Sequence, residues 1–403
     1  MEFIKIGNAV FTTENYETCY SLEESAFAEI PADPIKKNQA LDLLLDDSGV
    51  EFVKKSNGSV VFPAKMAEDV GILNSTQRLL RLDGLRSAFS LENFLCIDDS
   101  KKLGHEKQTF VESRKGVGAE YRINGVTSPV LTGGEYGWFG VRPYGSCDLE
   151  SSMTSLEASC FLQREHIKHS YVSGIIQIPP EVESLARSFK NDYPKNQRMY
   201  QIIRWIPSNV RIGHLNYYFT DDEVAEFLEK LVNPSDIGRL IQTYIEDMKK
   251  LFEIVPRTMS IEGNIIKFFD LTDFEDGCTL AASGIYQMDI ECAEFVEVSL
   301  NNLTGGELRK YVEGDYQRST ENGDFDICRI SSCGKLLYRL AKASVLLKPK
   351  AFEARDEVFW QDYFIDKMNE SKHIKIERLS RDIFGVNIIP SGMPPLFYTA
   401  QVI

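Results

Sequence analysis

No apolar run in this chain comes near the ~18 consecutive residues needed to cross a bilayer as a helix. The opening, MEFIKIGNAVF, also lacks the basic start and long hydrophobic stretch of a secretory signal. These absences lead to the expectation of an intracellular, cytoplasmic protein. Basic charge is scarce as well: 45 Lys and Arg stand against 60 Asp and Glu, a formal net charge of −15. Nucleic acids and anionic membranes call for basic stripes, so neither is expected as a partner, and any polyanion bound has to be small and locally neutralised. The 8 cysteines contain no CxxC pair or zinc-like spacing and are read as reduced, mostly buried thiols. No histidine follows Cys147 or Cys160 in a catalytic context, which argues against a thiol nucleophile. There are 5 histidines and no HExxH. His166 and His169, three apart on an expected helix, are read as surface residues rather than metal ligands. No internal repeat and no low-complexity tract is present. The string TGGEYGWFG is not a GxGxxG fingerprint and does not stand between a strand and a helix, so a dinucleotide enzyme is not expected.

What is present is enough apolar content, 43% of 403 residues, to bury a large core in two or three lobes. Residues 1–105 mix short amphipathic segments with the alternating VEFVKKSNGSVVF, in which Asn57-Gly58 has the chemistry of a hairpin turn. Residues 106–142 are rich in glycine and aromatics, the pattern of strands joined by tight turns where a ligand can approach backbone. The stretch SSMTSLEASCFLQR, residues 151–164, opens with capping serines and continues as a helix carrying Glu157. YVSGIIQI (171–178) and QIIRWI (201–206) read as buried strands, whereas 221–232 and 235–252 read as amphipathic helices. Two more helices, broken near Lys348-Pro349, are expected in 334–366, and the proline-containing carboxy-terminal tail reads as an extended arm.

The stretch IIRWIPSNVRIGHLNYYF, residues 202–219, poses the sharpest question. Arg204 and Arg211 stand seven apart in an otherwise apolar and aromatic run. A guanidinium on a strand flanked by Ile and Trp needs an anion, because an unpaired buried charge costs several kcal/mol, roughly. Internal salt bridges would supply one; a bound phosphate would supply another.

Three further features accompany the arginines. Lys115 ends a strand-like run just before the glycines of SRKGVG, Glu157 follows on a helix, and Asp270 ends the strand-like IIKFFD. Together and in this order they resemble the selenoprotein O family, kinase-fold proteins that transfer AMP from ATP to protein hydroxyls. The most specific likeness is Arg204-Trp205-Ile206-Pro207-Ser208 followed by Arg211-Ile212-Gly213-His214 and the aromatics Tyr217, Tyr218 and Phe219. Lys115-Gly116-Val117-Gly118 looks like the family's Lys-Gly-x-Gly segment, and Met259-Ser260-Ile261 fits its catalytic-loop strand. The likeness covers residues 106–280.

The resemblance implies an α+β, two-lobed protein-kinase-like fold with an additional amino-terminal α+β region. The parts would be 1–105, a strand-rich lobe at 106–206, and a helical lobe with a carboxy-terminal arm at 207–403. It implies that Lys115 and Glu157 form an ion pair, that Gly116, Gly118, Arg204 and Arg211 hold the nucleotide, and that Asp270 binds Mg²⁺ or Mn²⁺ beside ATP. The expected partners are the nucleotide and a protein acceptor. Where the family carries its base Asp and metal-binding Asn, this chain has Arg257 and Thr258. Asn264, Asp273 or Glu275 are the oxygen donors nearby that can replace the missing ligand, Asn264 first. The reading that follows is a protein adenylyltransferase; its alternatives are a phosphotransferase or a pseudokinase that keeps nucleotide binding as a scaffold.

Overall fold

The computed structural model describes the strands named below and, with most side chains, residues 147–177, 198, 200–208, 210–270, 274–288, 290, 329–347, 355–380 and 383–390. The side chains of the first nine strands, of Asp270 and of most of the strand at 294–299 are outside the description, as are Gly116, Gly118, Asp273 and the string TGGEYGWFG. The chain divides into two units, Met1–Asn209 and Val210–Ile403.

In the first unit a nine-stranded antiparallel sheet collects strands from both expected amino-terminal parts. It is preceded by a small sheet of β1 (Phe3–Ile6), β2 (Ala9–Thr12) and β3 (Thr18–Tyr20). The large sheet draws on β4 (Leu22–Pro31), β5 (Pro34–Lys37), β6 (Val50–Phe52), β7 (Ser59–Pro63), β8 (Thr76–Leu82), β9 (Ser87–Ile97) and β10 (Gln108–Lys115). After a two-stranded hairpin, β11 (Tyr121–Ile123) with β12 (Val126–Ser128), it adds β13 (Tyr171–Gln177) and β14 (Tyr200–Ile206). The order is β5-β13-β14-β10-β9-β8-β4-β7, with β6 also on β9. The boundary expected at 105/106 therefore runs through a continuous sheet. Asn57-Gly58 lies outside the described residues; of the strands on either side, β6 pairs with β9 and β7 with β4.

Helix α1 (Leu149–Arg164) packs on β13 and β14. Its amino-terminal cap is Asp148 rather than a serine: the carboxylate accepts the Ser151 N–H at 2.7 Å. The serines instead line the inner face. Ser152 Oγ donates to Asp148 O and Ser155 Oγ to Ser151 O, which lets hydroxyls be buried without orphaned donors.

The second unit is built on α3 (Ile237–Thr258), whose Leu240, Ile241, Tyr244, Ile245, Met248, Leu251 and Phe252 are buried at helical spacing. It follows α2 (Asp221–Leu231), which starts with a capping box between Thr220 and Glu223. A three-stranded sheet of β15 (Ser260–Glu262), β16 (Ile265–Asp270) and β19 (Glu294–Ser299) and the hairpin β17 (Cys278–Ala281) with β18 (Gly284–Gln287) come next. Helices α4 (Arg329–Leu347) and α5 (Glu357–Met368) are the two expected around Lys348-Pro349. The carboxy-terminal tail is a sheet rather than an arm: β20 (Ile374–Ser380), β21 (Ile383–Ile388) and β22 (Leu396–Gln401) pair antiparallel in that order. The hydrogen-bonding needs of an apolar tail are met by its own hairpins. Among the described residues no helix is long and apolar enough to cross a membrane.

Candidate functional site

Strands β10 and β14 pair in a regular register that sets Ser113 opposite Arg204 and Lys115 opposite Ile202. Directly opposed residues project to the same side of a sheet, so Ser113, Lys115 and Arg204 share one face while Glu112 and Trp205 share the other. Arg204 Nε donates to Ser113 Oγ at 3.4 Å. Both cations are sequestered, Lys115 at 9% and Arg204 at 4% exposure. As diagonal neighbours their backbones lie about 7–8 Å apart. This places two of the sequence's candidate residues, from strands 91 positions apart at the Ser113–Arg204 contact, on one surface.

Glu157 does not join them. It is exposed, and among the described residues no ion pair links it to Lys115. The reason is helical geometry. Ser155, Ser159 and Leu162 of α1 face inward, and two residues from Ser155 or Ser159 is about 200° around the helix, so Glu157 points to solvent. The inner face of α1 carries hydroxyls instead of a carboxylate.

One of those hydroxyls belongs to a buried relay. Ser159 Oγ lies 3.0 Å from His169 Nε2, His169 Nδ1 lies 2.8 Å from Ile167 O, and the Val172 N–H donates to Ser159 Oγ at 3.1 Å. Because a carbonyl only accepts, Nδ1 carries the imidazole proton and the Ser159 hydroxyl donates to Nε2. Burial pushes His169 down to about 4. The histidine read as a surface residue is thus fully buried, beyond the end of α1, while His166 is exposed with a left-handed backbone, φ 56°. The pair does not share a metal-binding helix face.

In the second unit Arg211 is partly buried and is fixed by its backbone. It forms an antiparallel bridge with Thr279, beside a bond from Leu280 N–H to Val210 O at 2.9 Å. Its N–H donates to His214 Nδ1 at 3.0 Å and its carbonyl accepts the His214 N–H at 3.1 Å. Burial, with the Arg211 charge adding to it, holds His214 down at about 4, so the ring stays the neutral acceptor this contact requires. The hairpin carrying Thr279 is anchored in turn to α3: Tyr244 Oη donates to Ala281 O at 2.9 Å, and the Ile285 N–H donates to Asp247 Oδ2 at 3.0 Å. His214 and Phe219 stack at 6.2 Å across a π-helical turn, His214–Tyr218.

Asp270 ends β16, as its sequence pattern indicates. Asn264 precedes the start of the same strand and is exposed, and six extended residues separate the two by about 20 Å, so they cannot share one cation. In the backbone register Glu294 of β19 pairs with Asp270. Glu294 carries no local sequence signal, because only a pairing across 24 residues makes it a neighbour. Among the described residues no group of three or more His, Cys, Asp or Glu side chains is arranged to hold a metal ion.

At the expected catalytic loop Thr258 has structural work. Thr258 Oγ1 donates to Ile254 O at 2.7 Å and accepts the Phe269 N–H at 2.9 Å, tying the end of α3 to β16. Arg257 is exposed. No protein-family model matches this sequence, and no curated protein matches it.

Proposed function

We propose that this chain is an ATP-binding protein of two-lobed, kinase-like fold that transfers AMP from ATP to a hydroxyl of a protein acceptor, as its resemblance to the selenoprotein O family implies. The observation that carries the reading is the buried sheet face on which Lys115 and Arg204 flank Ser113. A cationic surface of that kind suits a polyphosphate in a protein whose net charge of −15 otherwise repels one.

In the proposed reaction the acceptor oxygen attacks the α-phosphorus, the bond to the β-phosphate oxygen breaks, and pyrophosphate leaves with the electron pair while the hydroxyl proton passes to solvent or a base. The protein's part is to position and to neutralise charge, which tolerates an imperfect base. Lys115 and Arg204 would hold phosphate oxygens of the nucleotide; the resemblance implies a phosphate contact for Arg211 as well. By the same resemblance Asp270 would bind Mg²⁺ or Mn²⁺, which take hard oxygen donors. The metal would supply further charge neutralisation at the phosphates.

A second reading, a nucleotide-binding pseudokinase, is favoured by Thr258. At the position where the family has a metal-binding Asn, its hydroxyl is committed to the α3–β16 junction.

The test is incubation of the wild type and of Lys115→Ala with α-labelled and γ-labelled ATP and Mg²⁺, alongside melting curves with and without Mg-ATP. Wild-type-only transfer of the α-label to protein is the expected result. Transfer of the γ-label identifies a kinase, a melting shift without transfer identifies the pseudokinase, and no shift with no label removes the nucleotide altogether.

A further inference from the structure

The π-helical turn that follows Arg211 is gripped by one face of α4. Arg339 Nε donates to Leu215 O at 3.0 Å, and the two terminal nitrogens of the same guanidinium donate to Asp221 Oδ1 and to Phe219 O. One turn earlier on α4, Lys335 sits over the Tyr217 ring at 4.0 Å. Asn216 Nδ2 donates to Ser332 O at 3.2 Å, and Lys342 reaches Asp221 Oδ2 at 2.5 Å. The contacts come from positions 332, 335, 339 and 342, a single stripe of the helix.

A π-helical turn bonds residue to residue five apart, here Phe219 N–H to His214 O at 2.9 Å, and is less stable than an ordinary α-helical turn. Such a turn persists when its surroundings hold it. Arg339 is suited to this because its planar fork binds three acceptors at once, the carbonyls of Leu215 and Phe219 and the Asp221 carboxylate at the start of α2. Two of these, Leu215 and Phe219, lie inside or at the end of the turn that also contains His214. His214 in turn receives the Arg211 N–H and stacks on Phe219. The chain of contacts runs from Arg339 to Phe219, to His214, to the Arg211 backbone.

We infer that Arg339 is a positioning residue for Arg211: through the π-helical turn it sets the orientation in which Arg211 meets the phosphates of a nucleoside triphosphate. The inference rests on the nucleotide reading above. It assigns α4 a role in phosphate binding that the sequence of α4, an amphipathic helix with scattered basic residues, does not announce.

The experiment measures Mg-ATP affinity by calorimetry for the wild type, Arg339→Met, Arg339→Lys and Asp221→Asn, with circular dichroism to establish folding. The His214 ring titration is followed by NMR in the same proteins. Arg339→Met is expected to weaken Mg-ATP binding at least tenfold and to move the His214 titration upward from about 4. Arg339→Lys, which keeps the charge beside Asp221 but loses the fork, should weaken binding at least threefold. Asp221→Asn, which leaves both carbonyl contacts, should stay within threefold of the wild type. If Arg339→Met fails to fold, Arg339→Lys decides. Wild-type affinity in either folded Arg339 variant overturns the inference and leaves the nucleotide reading standing. An unshifted His214 titration alongside weakened binding overturns the route through the turn. Absence of Mg-ATP binding by the wild type overturns the nucleotide reading, and this inference with it.

Discussion

Acidification should loosen the seam between α1 and β13, because His169 there has to stay neutral. Its Nδ1–H donates to Ile167 O and its Nε2 accepts from Ser159, whose oxygen is already taken up by the Val172 N–H. A second ring proton would arrive on Nε2, in a fully buried site, where the existing donor must turn away. Burial holds the folded-state value at about 4 against 6.5 for the unconstrained side chain. Between those two values the unfolded chain binds the proton and the folded chain does not. The contribution is therefore complete above pH 6.5, is lost as pH falls toward 4, and changes no further below that. The gap is worth roughly 3 kcal/mol, or about three-hundredfold in a local opening equilibrium. Hydrogen–deuterium exchange of peptides spanning residues 149–177, corrected for the intrinsic pH dependence of exchange, reads that equilibrium directly. The wild type should lose protection steeply between pH 6.5 and 4, and His169→Gln, which starts lower, should lose much less. Carboxylates elsewhere act on both proteins, so the difference belongs to His169. Parallel losses in the two proteins would refute the buried neutral relay.

Gly334→Ala should lower the melting temperature even though alanine favours a helix by about 1 kcal/mol. The added Cβ would lie 2.8 Å from the Gln361 Cα of α5, so two helix backbones have to separate, at roughly 1–3 kcal/mol; a raised melting temperature would contradict that close approach. Thr258→Val keeps the shape but strips the acceptor from the Phe269 N–H, and should cost about 1–3 kcal/mol in urea denaturation. An unchanged midpoint would mean that the α3–β16 tie carries no stability. Glu157→Gln should stay within about 0.5 kcal/mol of the wild type and leave ATP binding unaltered, because the side chain is solvent-exposed. A large loss of affinity would return Glu157 to the site as the partner of Lys115.

Helices α2 and α3 and strands β13, β14 and β16 could be read from the chain because each is signalled locally, by spacing on one face, by a cap, or by a β-branched run between turn residues. Lys115, Arg204, Arg211 and Asp270 were legible as charges at the ends or in the middle of such runs. Asp148 was not recognised as the cap because the serines beside it carry the same local signal, and only the folded backbone shows which oxygen meets the Ser151 N–H.

What periodicity cannot carry is which strand lies beside which, and hence which side chains share a face. The alternation of VEFVKKSNGSVVF is the same whether the two halves pair with each other or, as they do, with β9 and β4. The sequence alone determined that buried cations are present and that the chain has strands and amphipathic helices to bury them. Only the tertiary structure decided that Ser113 pairs with Arg204 and that Glu294 pairs with Asp270 in the strand registers. It also decided that Glu157 turns outward, that the tail is a sheet, and that Arg339 grips the Arg211 turn across more than a hundred residues. These are relations between distant segments. They are set by register and by packing against the remainder of each unit, and no short stretch of sequence contains them.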